Sequence, residues 1–457
     1  METGFRGPEA RGYFSGMDRL GAARADRAGV GSERRQDAEA KLASSDQRAG
    51  CPQEASGEMA RAAPSQRDPE TDQHSPSPET FTMTPRILTA CCLSLLALAA
   101  ARGDQPKEPA KKPRIEVCFV LDTTGSMSGL IEGAKEKIWS IANEMIAAKP
   151  TPELKLALIG YRDRGDEYVT KLTDLTADID AIHAKLMEFT ANGGGDGPES
   201  VNQALHEAVT RIAWSDDRAV LKIVFLVGDA PPHMDYEQDV RYPEVCQAAM
   251  KRDLVINAVQ CGQEDETAKI WKEIAKLAEG KYIPLVQTGG MVRIAAPQDN
   301  QIAALNREIG GTLIGYGQTD ARRSVVAKQA AAEAAAPAAT ADRLRYNAAT
   351  GRAVQGEGEL IDSLERGEVK LRELKAEELP EELRGLDEPQ LAAAVEAKRV
   401  KRKEIQAKLD TLLAERNTFI VAERKRLAES GKGDSFDEEV SGTVREQAAR
   451  KGIEYAK

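Results

Sequence analysis

Several kinds of residue are scarce in this chain of 457 residues, and each shortage excludes a class of protein. Six cysteines are too few for a disulfide-dense scaffold. Positive charge is in deficit, because 63 Lys and Arg face 74 Asp and Glu and leave a net charge of -11. We therefore expect no nonspecific binding of nucleic acid, which needs clustered positive charge. No apolar run reaches the ~18 residues that a membrane-spanning helix requires.

The amino-terminal part has the composition of an extension followed by an export signal. Residues 1–82 are rich in Gly, Arg, Ser and Pro, which predicts either disorder or an extension wrongly placed before the true start. In residues 83–104, Arg86 precedes an apolar run that ends in small residues suited to cleavage, as in a secretory signal peptide. We expect translation to begin at Met83 and the mature protein to be extracytoplasmic, whether secreted, periplasmic or at the cell surface.

The composition changes after a polar linker at residues 105–114. Between residues 115 and 317, β-branched apolar runs alternate with amphipathic segments that have helical spacing. Runs of this kind are typical of strands buried on both faces of a parallel sheet, and they cover residues 115–122, 154–161, 220–229 and 254–262. Residues 168–176 predict a short edge strand. The alternation predicts an α/β domain with a doubly wound, mostly parallel sheet.

The rest of the chain is predicted to be helical. Residues 318–353 are rich in alanine and are interpreted as a linker or a loosely helical spacer. Residues 354–457 are highly charged and helical, with segment 358–374 as a candidate partner for a long helix further on. A helical hairpin or coiled coil is predicted, which could also mediate self-association. A solvated stalk without a specific partner is the alternative.

One long helix dominates this carboxyl-terminal region. Its start is marked by Asp387 as the N-cap, a proline in the first turn and Gln390 three residues on, and it could run to Ser430. Apolar residues form a stripe along the helix, which Arg402 and Arg416 interrupt together with a lysine.

Three loops that follow predicted strands or open a helix carry oxygen side chains. Ligands of doubly wound sheets bind outside the carboxyl ends of the strands. The first strand ends at Asp122, and Thr124 and Ser126 alternate with it, so the three side chains can converge. Another strand ends at Asp229, and the loop between them contains Asp196. Carboxylate and hydroxyl oxygens suit a hard cation such as Mg²⁺, with Mn²⁺ or Ca²⁺ as alternatives. Without a metal, Asp122 and Asp196 would simply cap helices.

This arrangement resembles the von Willebrand factor type A domain and its metal-ion-dependent adhesion site, in a bacterial-type exported protein. The sequence "DTTGS", which begins at Asp122, matches the family pattern Asp-x-Ser/Thr-x-Ser, and "LVGD" matches the strand that ends in the second metal-site aspartate, Asp229. The resemblance covers about residues 115–312. It implies that Thr124 and Ser126 bind the metal directly, whereas the two aspartates act mostly through bound water.

The middle loop departs from the family pattern. The family usually supplies a threonine there, and the aligned residue is Asp196. Three carboxylates around a dication leave a local charge of about -1, so the metal would be held harder and an acidic ligand attracted less. Glu199 or Ser200 could contribute instead if the loop register differs.

The expected function is that of an exported, metal-dependent protein-binding module for adhesion or scaffolding, with an unidentified protein ligand. We expect no enzymatic activity, no catalytic residues and no organic cofactor, because the sequence shows no nucleophile–base pair. One alternative is a structural scaffold whose metal serves only stability. The other is a phosphoryl-transfer hydrolase in which Asp122 attacks phosphorus. Phosphatases of that kind need a second aspartate where this chain has Thr124, and no GxxxxGK[ST] phosphate loop occurs.

Three further features are less informative. Cys246 and Cys261 could form a disulfide in an exported protein, although two buried thiols are the default expectation. Residues 162–166 follow a predicted strand and are expected to form a solvated loop with local ion pairs. His233 is expected to be a loop residue that could approach the metal face.

Overall fold

The computed structural model describes residues 112–195 and 197–455. The predicted extension 1–82 and signal peptide 83–104 lie outside the described residues, and so does the linker up to residue 111. Asp196, the middle-loop candidate ligand, is also outside them.

A six-stranded sheet forms the centre of the domain, in the order β3-β2-β1-β4-β5-β6. Strand β3 runs antiparallel to β2, and all the other pairs are parallel. This confirms the predicted mostly parallel α/β fold, including the edge strand. The strands are β1 Arg114–Asp122, β2 Glu153–Tyr161, β3 Thr170–Thr176, β4 Leu221–Gly228, β5 Val255–Cys261 and β6 Tyr282–Leu285.

Strand β6 is the one strand of the described sheet that the sequence does not predict. It has only four residues, Tyr282–Leu285, and includes Pro284. Proline cannot donate to a strand ladder and is confined to edges, and β6 pairs with β5 alone. A short segment with a proline carries too weak a strand pattern to be recognised.

Eleven α-helices are present in the part of the chain that the structure describes. They are α1 Ser128–Met145, α2 Ile179–Met187, α3 Val201–Thr210, α4 Tyr242–Lys251, α5 Asp265–Leu277, α6 Asp299–Gly310, α7 Thr319–Ala334, α8 Pro337–Thr350, α9 Leu360–Glu365, α10 Glu388–Glu429 and α11 Ser435–Ala449. The alanine-rich segment interpreted as a linker or spacer thus contains α7 and α8.

The sheet buries apolar side chains on both faces, because successive residues of a strand point to opposite sides. Phe119 of β1 belongs to the face covered by α1, α2 and α11. Its neighbour Val120 belongs to the face covered by α3, α4 and α5. Helix α11 contributes Val440 and Val444, both fully buried, to the first face. The end of the chain is therefore part of the core of the α/β domain.

The long helix predicted from its capping residues is confirmed as α10, which has 42 residues and is about 63 Å long at ~1.5 Å per residue. The Asp387 side chain accepts a hydrogen bond from the Gln390 backbone, and Gln390 caps the Asp387 backbone in return. The middle of α10 packs on α6 and α8 through Ile405 and Leu409. The apolar side chains of the predicted partner segment 358–374 pack on the amino-terminal part of α10, at Leu391 and Val395.

Two arginines that were expected to interrupt the apolar stripe of α10 are buried in ion pairs. Arg402 contacts Glu359 at 2.8 Å and Asp362 at 3.0 Å. Arg416 contacts Asp299 at 2.6 Å and Asp342 at 2.7 Å. These guanidinium groups tie α10 to α6, α8 and α9, so the stripe combines apolar packing with buried charge pairs.

Three cysteines lie in the described residues, and all are free and buried: Cys118, Cys246 and Cys261. Burial is the main reason that the pKa values of all three thiols are raised, which keeps them protonated and unreactive. No helix between residues 112 and 455, leaving aside the undescribed Asp196, combines the length and apolarity needed to cross a bilayer.

Candidate metal centre

The sheet changes its direction of winding between β1 and β4. The chain proceeds from β1 outward to β2 and β3, then returns to β4 and continues outward through β5 and β6. Such a reversal opens a crevice at the carboxyl ends of the two central strands, where doubly wound sheets bind ligands. Asp122 is the last residue of β1, and Asp229 directly follows β4. The two predicted aspartates therefore lie at this crevice.

The loop after β1 gathers the three predicted oxygen side chains. Asp122 is fully buried, and its Oδ1 accepts hydrogen bonds from the Thr124 backbone N–H at 2.8 Å and from the Thr124 hydroxyl at 2.6 Å. The Ser126 hydroxyl lies 3.4 Å from the Thr124 hydroxyl and is exposed. The alternation of Asp, Thr and Ser thus produces the convergence that the sequence predicts.

Several buried polar atoms at the crevice have no hydrogen-bond partner within the described residues. They are Asp122 Oδ2, Glu199 Oε2 and the Tyr161 hydroxyl. An unsatisfied buried polar atom costs about 1–3 kcal/mol, and more when it is charged. Three such atoms at one sheet edge are typical of a site in which a polar or charged ligand supplies the missing interactions.

The electrostatic environment is strongly acidic. Burial raises the pKa of the Asp122 carboxyl to about 7, against two hydrogen bonds from Thr124, and the Asp229 charge adds to the rise. Burial also raises the pKa of Glu199 to about 9, and the charges of Asp122, Asp163, Asp166 and Asp229 contribute. Carboxylates that disfavour each other's ionised form in this way are stabilised by a cation placed among them.

Asp229 is held from the far side of the crevice. Gln287, which follows β6, donates a hydrogen bond from its Nε2 to Asp229 Oδ2 at 2.6 Å. The Thr267 hydroxyl donates to the Asp229 carbonyl at 3.3 Å. Gln287 has no sequence signal of its own, because the short strand that delivers it to the site is not predicted.

The middle loop is attached to the loop after β1 by main-chain hydrogen bonds. Gly125 N–H donates to the Gly193 carbonyl at 3.2 Å, and Asn192 N–H donates to the Thr123 carbonyl at 3.1 Å. Gly194 has a positive φ of 77°, and a Cβ there would lie 3.1 Å from Glu199 Oε1 and 3.3 Å from Thr124 Cβ. Only glycine fits this close approach without strain.

Glu199 and Ser200, the two alternatives for the middle loop, have side chains in different surroundings. Glu199 is 4% exposed, and its charge interacts with those of Asp122 and Asp229. The Ser200 hydroxyl instead donates to Asp163 Oδ1 at 2.9 Å. Of the two residues, Glu199 is therefore the one that belongs to the crevice.

A polar network borders the site on the side of β2. Asp163 accepts a hydrogen bond from the Tyr236 hydroxyl at 2.7 Å, in addition to the one from Ser200. The His233 ring stacks on Tyr236 with 4.1 Å between the ring centroids. His233 Nδ1 lies 2.8 Å from Asp235 Oδ1. His233 thus contributes to the wall of the site as part of this network.

The prediction of a solvated loop at residues 162–166 is wrong for its first two residues. Arg162 is 1% exposed and Asp163 is 6% exposed. The Arg162 side chain donates to the Thr123 carbonyl at 3.1 Å and to the Thr190 carbonyl at 2.7 Å. It therefore braces the loop after β1 against the middle loop, a role that the pattern of alternating charges did not reveal.

The donor set fits a hard divalent cation. It combines the carboxylates of Asp122 and Asp229 with the hydroxyls of Thr124 and Ser126, and hard cations prefer oxygen ligands of this kind. No group of three His, Cys, Asp or Glu residues that could hold a metal occurs in residues 112–195 and 197–455.

Known proteins are similar to this chain over the region of the α/β domain. The sequence model of the von Willebrand factor A domain matches residues 116–294. The chain is 34% identical over 120 residues to von Willebrand factor A domain-containing protein 7 of Rattus norvegicus, a match that covers 26% of this chain and 12% of that protein. These findings support a von Willebrand factor A domain in this part of the chain. The chain matches only about an eighth of the length of this relative.

Solved structures of similar proteins also match. The SpRpn10 VWA domain is 12% identical with a TM-score of 0.30, over 38% of this chain and 89% of that one. Proximal thread matrix protein 1 from the mussel byssus is 14% identical with a TM-score of 0.28, over 38% of this chain and 42% of that one.

Proposed function

We propose that this protein is a protein-binding module that uses a divalent cation, Mg²⁺ by preference with Mn²⁺ or Ca²⁺ as substitutes, at the carboxyl edge of its sheet. A von Willebrand factor A domain indicates a protein-interaction or adhesion module. The metal, the export of the protein and the absence of catalysis are the further elements of the proposal. Asp122, Thr124, Ser126 and Asp229 would hold the cation.

The buried, unpartnered Oδ2 atom of Asp122 is the observation that supports the metal most directly. Its Oδ1 atom accepts two hydrogen bonds from Thr124, whereas its Oδ2 atom accepts none from the described residues. The acidic neighbours Asp229 and Glu199 make a cation the favourable partner for it. Asp196 is a further candidate ligand from the middle loop.

The openness of the site on one side supports the binding of a protein. Ser126 is exposed while Asp122 and Thr124 are buried, so the donors lie at the boundary between core and solvent. When bound, a dication supplies a coordination position that an oxygen of a partner protein can complete.

Export is the second element of the proposal, and it depends on the signal-like segment 83–104. Amino-terminal sequencing of the native protein tests this element. We expect a terminus shortly after Ala99 or Ala101, and peptides from residues 1–82 in the native protein would contradict it.

Isothermal titration of the protein with MgCl₂, MnCl₂ and CaCl₂ tests the metal. We expect saturable heat with the wild type and at least a tenfold weaker affinity for Ser126→Ala and Asp122→Asn. Ser126→Ala is the cleaner variant, because its hydroxyl has only the long contact to Thr124. Asp216→Ala, which removes an exposed aspartate outside the crevice, is the matched control and should bind as the wild type does.

A partner-capture experiment separates binding through the metal from a metal that serves only stability. A protein retained by the wild type in Mg²⁺, released by EDTA and not retained by Ser126→Ala would support binding through the metal. Retention that is unchanged by both EDTA and the Ser126→Ala substitution would favour a scaffold with a stabilising metal.

A further inference from the structure

A second cavity lies among the helices, away from the candidate metal centre. It has a volume of about 360 Å³, opens to solvent on one side and is lined by α1, α6, α8, α10 and the segment between β6 and α6. No residue proposed above for the metal lines it. Cavities of this size are typical of small-molecule sites. The side chains of the wall determine which class of ligand fits.

Part of the wall is apolar. The first turn of α8 contributes Pro337, Ala338 and Ala339, and α10 contributes Leu413 and Ile420. Alanines leave the space open because they have no side chain beyond Cβ. This part of the wall suits a short hydrocarbon chain.

The three acidic residues of the wall are already paired with cations of the same wall. Arg416 contacts Asp299 and Asp342, and Arg293 contacts Glu136. None of these carboxylates is therefore available to attract a cationic ligand.

Two further cations of the wall have partners beyond it. Lys137 contacts Asp434 at 2.6 Å and Asp437 at 3.1 Å. Arg424 contacts Glu144 at 2.9 Å. Their charges are compensated by acids that do not line the cavity.

Arg345 of α8 differs from all of these. It lines the cavity and is half-buried, and no hydrogen bond or ion pair joins its guanidinium to any described residue. Its charge influences the pKa of Glu144, but the Glu144 carboxylate is already held by Arg424 and Arg445. A half-buried guanidinium that makes no direct contact with an anion is the group that a carboxylate ligand would pair with, through two parallel hydrogen bonds.

The start of α8 adds to the preference for an anion. The N-cap of α8 is Ala336, and no side chain caps the helix. The first N–H groups of a helix have no intrahelical acceptor and carry the positive end of the helix dipole. Ala336 and the first turn of α8 line the same cavity as Arg345.

We propose that this cavity binds a small organic anion, a carboxylate with a short apolar chain, and that Arg345 pairs with the carboxylate. The alanine-rich start of α8 and the α10 residues Leu413 and Ile420 would receive the chain. The proposal does not depend on the metal, because no residue is shared between the two sites.

Titration of the full chain with pentanoate, followed by NMR chemical shifts or calorimetry, tests the proposal. Pentanamide has the same shape without the charge and should bind at least about tenfold more weakly. Arg345→Gln should weaken pentanoate binding by a similar factor and leave pentanamide binding unchanged. Acetate, which lacks the chain, should bind more weakly than pentanoate.

Two more variants complete the test. Arg323→Gln removes an exposed arginine of α7 that does not line the cavity, and it should bind pentanoate as the wild type does. Ala338→Met would place a side chain into the cavity and should abolish binding without touching any charge. Equal affinity for pentanoate and pentanamide, or unchanged pentanoate binding in either Arg345→Gln or Ala338→Met, would overturn the proposal. So would an equal loss in Arg323→Gln.

Discussion

Gly228, the last residue of β4, leaves room for the side chains of Asp122 and Tyr161 at the crevice. A Cβ on Gly228 would lie 2.4 Å from the Tyr161 hydroxyl and 3.0 Å from Asp122 Cβ. Neither neighbour can move easily, because both are fully buried. The orientation of the Asp122 carboxylate therefore depends on a glycine at the end of the neighbouring strand.

The substitution Gly228→Ala should destabilise the protein by roughly 1–3 kcal/mol, as overpacking of a core does. It should also weaken cation binding, because Asp122 has to shift. Urea unfolding and calorimetry on the same preparation measure both effects. Gly442→Ala is the matched control: Gly442 lies in α11 with open space around it, and alanine there should stabilise the helix by up to about 1 kcal/mol. A Gly228→Ala protein as stable as the wild type would contradict this account of the crevice.

Among the elements, helix α11 has the most unexpected position. It follows the long helix α10 in the chain, yet Val440 and Val444 are fully buried in the cluster that also contains β1 and α1. Its Asp434 and Asp437 hold Lys137 of α1. The α/β domain is therefore completed by a segment more than 100 residues beyond its last strand.

Replacement of a buried valine of α11 should lower the stability of the whole α/β domain. We expect Val444→Ala to cost roughly 2 kcal/mol, because the lost burial of two carbons and the remaining cavity add up. Val421→Ala, an exposed valine of α10, should change the free energy of unfolding by less than about 0.5 kcal/mol. Circular dichroism at increasing urea concentration measures both. Unfolding of Val444→Ala in two separate steps, with the sheet unaffected, would show that α11 is dispensable to the core.

Glu144 joins three helices and makes their packing dependent on pH. Its carboxylate contacts Arg424 of α10 at 2.9 Å and Arg445 of α11 at 2.7 Å. Burial opposes the charged form, but the arginines outweigh it and lower the pKa of Glu144 below its usual 4.5. A carboxyl with a lowered pKa in the folded state stabilises the protein above pH ~4.5, and this contribution is lost as the pH falls through the folded-state value.

The free energy of unfolding measured between pH 7 and pH 3.5 checks this effect. Glu144→Gln should lower the stability at pH 7 by about 1–3 kcal/mol and should flatten the decline at acidic pH. Glu404→Gln, which changes an exposed glutamate of α10, should leave the profile as it is. Parallel acid profiles for the wild type and Glu144→Gln would contradict the assignment.

For the whole molecule, local sequence patterns predict the sheet, but they do not predict contacts between residues that are distant in the sequence. Apolar runs and strand-end loops predict β1 and β4, and they place Asp122 and Asp229 at one edge. The positions of Arg162 and Gln287 could not be predicted, because their partners are distant in the sequence. Glu199 is predicted only as an alternative to Asp196. Likewise, the sequence shows the arginines of α10 only as interruptions of its apolar stripe, because their acidic partners lie on other helices.

A cation that binds only the folded state should stabilise the entire domain. At a metal concentration of 100 times Kd, the gain is about 2.7 kcal/mol, which a thermal melt with and without MgCl₂ detects. The Ser126→Ala protein should show a much smaller shift, whereas Asp216→Ala should show the full one. A shift that is equal in all three proteins would place the cation elsewhere.

We propose that oxygens from separate loops hold one dication at the edge of the sheet. A crystal structure grown with MnCl₂, with anomalous diffraction recorded at the manganese edge, tests it most directly. We expect one strong anomalous peak within coordination distance of the Ser126 and Thr124 hydroxyls and beside Asp122 and Asp229. The absence of a peak there at millimolar manganese, or a peak bound by other residues alone, would contradict it.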